Sequence, residues 1–128
     1  MSFTADLDRF IRVTGATADE AVQKVVIMGF QGIQTRTPVD TGRARANWTV
    51  SPGSPDLHTT EDTDPSAALS KAQDKTSTLG SKDENIYISN NLPYAMALEY
   101  GHSDQAPQGM VRVTAAELQA RINAVGGI

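Results

Sequence analysis

Apolar positions along the chain change period several times, and each change marks an element. Val22, Val25, Val26, Gly29, Phe30 and Ile33 recur at helical spacing, and Ile27 and Met28 widen the stripe until part of it is apolar all round. That pattern predicts a central helix. Thr17 and Glu20 form a capping box, which starts the helix at Ala18, and Pro38 disfavours helix at Thr37, which stops it near Arg36. Gly29 and Gly32 each weaken a helix by about 1 kcal/mol relative to alanine. Their use is either close approach by a strand or neighbouring subunit, or packing that merely tolerates glycine.

Shorter patterns flank this helix. Leu7, Phe10 and Ile11 fall at helical spacing within residues 3–13, with Thr4 as a cap. After Pro38, Val39 and Asp40 the chain turns, and Asp40 or Thr41 caps a brief helical turn carrying Arg43 and Arg45. Asn47, Trp48, Thr49 and Val50 read as a strand ending at Pro52, with Trp48 packed on the long helix and its indole N–H paired. Ile86, Tyr87, Ile88 and Ser89 read as its partner. Asn90, Asn91 and Pro93 interrupt that ladder, and Pro93 suits the first turn of a short helix from Tyr94 to Tyr100 that Gly101 stops. Tyr94, Ala97, Leu98 and Gly101 share one face of it. A polar loop with Pro107 and Gly109 follows. Val111, Ala115, Leu118, Ile122 and Val125 then predict a helix over about residues 108–124, although Met110 to Thr114 alone fit a strand, and Thr114 and Glu117 fit a later cap. The fold class expected is α+β: one domain over residues 1–128, with a small antiparallel sheet packed against a long helix, a C-terminal helix and a long polar insert.

Charge changes the picture in one place. The chain of 128 residues carries a net charge of −4 and no cysteine. Residues 51–85 hold Asp56, Glu61, Asp62, Asp64, Asp74, Asp83 and Glu84 against Lys71, Lys75 and Lys82, so 3 − 7 = −4 and the remainder is neutral. Nothing here resembles a basic footprint for gripping nucleic acid. Leu57, Leu69 and Leu79 are the insert's only large apolar residues, too few for a core of its own. It is expected to be a partly mobile or functional connection, with Asp64 or Ser66 capping a short helix through Ala67, Ala68, Leu69, Ala72 and Gln73. The absence of cysteine excludes disulfides, thiolate metal sites and thiol nucleophiles. No basic leader and no long apolar run is readable at the start, so a chain that neither enters nor spans a membrane is expected.

Candidate chemistry is sparse. Asp40, Thr41 and Gly42 spell the tripeptide of aspartic proteases, which need an apolar pair before it and a small residue after it; Pro38 and Val39 precede it here and Arg43 follows. A turn with a cap fits better. Asp62 and Asp64 begin like a calcium loop, but Ala67 stands at the glycine position and Gln73 at the bidentate glutamate position. His58 and His102 lie on separate loops without further ligands. No catalytic, cofactor-binding or metal-binding residue is assigned, and no enzyme is expected.

Two stretches carry a resemblance. TPVDTGRARANW at residues 37–48, then NNLPYAMALEYG at 90–101 followed by APQGMVRVT at 106–114, resemble the neck or tail-completion proteins of tailed bacteriophages, over residues 35–51 and 86–117. The resemblance implies a structural virion protein, made in the host cytoplasm, that forms a homo-oligomeric ring between head connector and tail. Double-stranded DNA would pass through without specific binding. A tail terminator is the alternative reading, and an aspartic protease of the Asp-Thr-Gly type a remote one. Asn90, Asn91, Pro93, Tyr94 and Tyr100 join amides with amphipathic aromatics and are the candidate interface; the alternative is that they only shape the turn and finish the core. Glu61, Asp62 and Asp64 are candidates for a channel lining or an arm on a partner. Pro38, Asp40 and Gly42 are assigned to a structural turn.

Overall fold

The computed structural model describes residues 11–12, 15–39, 42–100 and 108–126. Expectations placed on residues 3–10, on Asp40, Thr41, Gly101, His102 and Pro107, and on the Val125 side chain fall outside them. Within them the fold is α+β, with helices around one two-stranded antiparallel sheet.

Helix α1 (Ala18–Arg36) starts at its capping threonine, whose Oγ1 accepts from the Glu20 N–H at 3.1 Å. Asp19 and Glu20 in its first turn and Arg36 in its last oppose the helix dipole. At its end Thr37 is fully buried. The Thr37 hydroxyl donates to the Ile33 carbonyl at 2.7 Å and accepts the Trp48 indole N–H at 2.8 Å. A buried indole N–H without a partner would cost free energy, so this bond sets where strand β1 (Trp48–Pro52) meets the helix.

Between them lies the single turn α2 (Arg43–Ala46). Gly42 is its N-cap at φ +78°, in place of the side-chain cap expected from Asp40 or Thr41. The strand begins one residue later than expected, because Asn47 closes α2 and spends its amide on other backbone. β1 pairs with β2 (Ile86–Asn90), Trp48 opposite Asn90, Val50 opposite Ile88 and Pro52 opposite Ile86.

The core explains why α1 is apolar on more than one side. Val26, Phe30 and Ile33 pack with Trp48 and Val50 from the sheet and with Ala68, Ala72, Leu79 and Met110. A second cluster joins Ala21 to Ile122, with Val25 and Leu118 beside it. The sheet and α3 (Pro65–Thr76) therefore cover one flank of α1, and α5 (Val111–Gly126) covers another. Gly29 faces Ile88 and Leu118, and Gly32 lies against Thr114, so both glycines serve contacts within the chain.

Helix α3 forms where the sequence places a short helix, and it is longer than Ala67 to Gln73. Asp64 caps it, accepting from the Ser66 N–H at 2.9 Å, and Pro65 occupies the first turn, where its missing N–H costs nothing. Ala68, Ala72, Leu69 and Leu79 enter the main core. The insert builds no core of its own; it lends one to the rest. Gln34 holds the start of α3 through the Pro65 carbonyl at 3.0 Å, and Gln23 holds the chain beyond its end through the Leu79 carbonyl at 2.8 Å.

Two later boundaries also differ. Pro93 precedes α4 (Ala95–Glu99) instead of opening it, with Tyr94 as N-cap and the Ala95 N–H bonded to the Leu92 carbonyl at 3.0 Å. α5 starts at Val111. Thr114 lies inside it as a buried residue, its Oγ1 accepting from Arg36 Nη1 at 2.9 Å, and Glu117 pairs with the same guanidinium; neither residue caps a late start. Among the described residues, no helix is long and apolar enough to cross a membrane.

Candidate assembly surface

The two stretches that carry the resemblance lie far apart in sequence and meet in one hydrogen-bonded unit. Asn90 joins them. Its Nδ2 donates to the Ala44 carbonyl at 2.9 Å and its Oδ1 accepts from the Leu92 N–H at 3.1 Å, so one side chain fixes the strand end to α2 and shapes the next turn. Asn91 donates to the Asp56 carbonyl, bringing in the loop after β1. Both candidate amides are thus committed inside the chain.

Beyond them, Leu92 is buried and Leu98 packs on the core, which seats α4 on the protein. The residues between face outward. Tyr94 is 40% exposed, Met96 69% and Tyr100 65%, and Pro93 is exposed as well. A residue that finishes the core does not keep two thirds of its surface in water, so Met96 and Tyr100 are not core residues. Met96 was missed in the sequence, where an isolated methionine in a helix reads as core. Open hollows flank the ridge, one of about 500 Å³ bordered by Pro38, Arg43, Tyr94 and Leu98, the other of about 420 Å³ bordered by Trp48, Asn91, Met96 and Tyr100.

Glu99 makes this unit rigid. Its Oε1 accepts from the Met110 and Val111 N–H groups at 3.0 and 2.7 Å, and its Oε2 from the Arg112 N–H and Nε at 3.1 and 3.0 Å. A carboxylate from α4 therefore caps α5, satisfying donors that the helix start leaves open. Burial alone would raise the Glu99 carboxyl, but the donors from Val111, Arg112 and Met110 outweigh it and hold the group below its usual range. Gly109, at φ +83°, passes so close to Glu99 that a side chain would collide with both its backbone and its carboxylate. The Arg112 guanidinium also lies 5.4 Å from the Tyr100 ring centre, fixing one aromatic of the ridge.

The acidic candidates are placed by the loop before α3. Glu61 pairs with Arg43 at 3.1 Å while its own side chain stays 91% exposed. Asp62 accepts from the Asp64 N–H at 3.0 Å, and Asp64 caps α3; the Ser66 hydroxyl and N–H hold the Asp64 carboxyl below its usual range. Thr60 pins the loop, donating its N–H to Asn47 Oδ1 at 2.8 Å and accepting from Asn47 Nδ2 at 3.0 Å. Gly42 sits against Thr63, 2.5 Å from its carbonyl oxygen to where a Cβ would lie, so the turn at Pro38 and Gly42 packs directly on this loop. His58 pairs with Asp56 at 2.8 Å, and the His58 N–H and ring hold that carboxyl low. No group of histidine, aspartate or glutamate side chains among the described residues is arranged to hold a metal ion.

Comparison of the chain with protein-family models, with curated proteins and with solved structures finds no match to any of them.

Proposed function

We propose that the chain is a structural, non-catalytic subunit of a tailed-phage neck, forming a ring of identical copies between head connector and tail through which double-stranded DNA passes. One observation carries the reading: the two stretches that resemble neck proteins converge through Asn90 on a single rigid unit, and that unit presents Tyr94, Met96 and Tyr100 to solvent. The ridge is the contact made with a neighbouring subunit or the connector. Repeated around an axis, the carboxylates of the loop before α3 add to a negative band, which repels phosphates and keeps a passing genome from sticking.

Electron microscopy of the purified full chain tests this reading. Annular particles with an axial channel are expected, and only small compact particles at every concentration and ionic strength would count against it.

A further inference from the structure

The hydrogen bonds of the sheet point to a second contact, independent of the α4 ridge. In an antiparallel ladder, alternate residue pairs exchange both backbone bonds, and the residues between them turn their N–H and C=O to the outer edges. The Gly53 N–H donates to the Asn85 carbonyl at 2.9 Å, which continues the register of the two strands. Two-residue steps from that bond make Ser51 with Tyr87, and Thr49 with Ser89, the exchanging pairs. Ile86, Ile88 and Asn90 therefore direct their backbone groups away from β1, and no hydrogen bond to those groups is found among the described residues.

The two edges of the sheet are not alike. The β1 edge carries Pro52, which has no N–H to offer, and beside its start Thr60 is clamped on Asn47. The β2 edge reads Ile-Tyr-Ile-Ser-Asn, with no proline, no charge and half-buried side chains throughout. Its own residues supply none of the usual protections of an edge, and a two-stranded sheet is marginal alone.

We propose that the β2 edge pairs with β2 of a second copy, antiparallel about a two-fold axis at Ile88, giving a continuous four-stranded sheet. The outward-facing residues fall into register with themselves: Ile86 meets Asn90, Ile88 meets Ile88 and Asn90 meets Ile86, and three pairs at two bonds each give six hydrogen bonds. The same register keeps the core face of one sheet continuous with that of the other, and sets Tyr87 against Ser89. The nearest charges, Asp83 and Glu84, fall opposite Pro93 and Leu92 of the second copy, so no carboxylate opposes another. This contact is isologous, unlike the head-to-tail contacts that close a ring.

Residue-resolved amide exchange on the full chain, at dilute and high concentration, tests the pairing together with sedimentation equilibrium. The amides of Ile86, Ile88 and Asn90 should slow by about tenfold or more on concentration as a dimer forms, while those of Tyr87 and Ser89, already bonded to β1, stay protected throughout. Two charge variants add a second reading: Tyr87→Lys with Ser89→Lys, and Tyr87→Glu with Ser89→Glu, should each be monomeric and should pair when mixed. Concentration-independent exchange at Ile86, Ile88 and Asn90 in the unmodified chain overturns the proposal, as do folded charge variants that stay monomeric when mixed. Annular particles formed without slowed exchange at those amides would leave the ring reading standing and remove this one.

Discussion

At the scale of single residues, Glu99 does more than its exposed helix foretells. Replacing it with Gln keeps an acceptor but loses the charge that holds the donors of Met110, Val111 and Arg112, and should cost about 2 kcal/mol near neutral pH. Its carboxyl is lowered in the folded chain, so its contribution is present above the ordinary value of 4.5 and lost as pH falls through the folded-state value. Urea unfolding of the two proteins across pH should show a constant gap above about pH 5 that closes in acid. The glycines of α1 make an opposed pair. A methyl at Gly29 meets Ile88 and Leu118 at 3.5 and 3.6 Å, ordinary contact, so Gly29→Ala should raise the melting temperature through about 0.5–1 kcal/mol of helix propensity. At Gly32 it meets the Thr114 methyl at 2.7 Å and crowds Arg36, so Gly32→Ala should cost about 1–2 kcal/mol.

Some residues were legible in the sequence because their signal is local. Thr17 and Pro38 bound α1 through bonds and clashes within a few positions, and Trp48 needs a partner wherever it is buried. The long-range bonds of Asn47 to Thr60, of Gln34 to Arg45 and Pro65, and of Glu99 to the start of α5 were not, since each spans at least 11 residues, where no periodicity reaches.

At the scale of elements, α3 shows how a segment with few large apolar residues still joins the core. Alanines count for little in apolar content, yet Ala68 and Ala72 let the helix approach the core closely, where Leu69 and Leu79 supply the bulk. The loop before it is irregular but anchored. Asn47 is buried and bonds the Thr60 N–H, the Thr60 carbonyl and the Arg43 carbonyl, so Asn47→Ala should cost about 2 kcal/mol. Hydrogen exchange should find the Thr60 amide slower than those of Leu57 and Thr59, and Asn47→Ala should erase the difference; uniform exchange across these positions in the unaltered chain would mean that the anchor does not form.

At the scale of the whole molecule, a rigid frame of α1, the sheet and α3 carries a short helix whose outer face is left in water. Met96→Ser and Tyr100→Ala remove exposed apolar surface and should change melting by less than about 0.5 kcal/mol while reducing particle size, whereas Leu92→Ala and Leu98→Ala should unfold the unit itself. The measurement that bears most directly on the account is hydrogen exchange compared between the assembled particle and the dissociated chain. New protection of the amides of residues 94–100 is the predicted result, whether or not the β2 edge also slows. Residues 94–100 exchanging alike in both states would contradict the assignment of this ridge as the assembly contact.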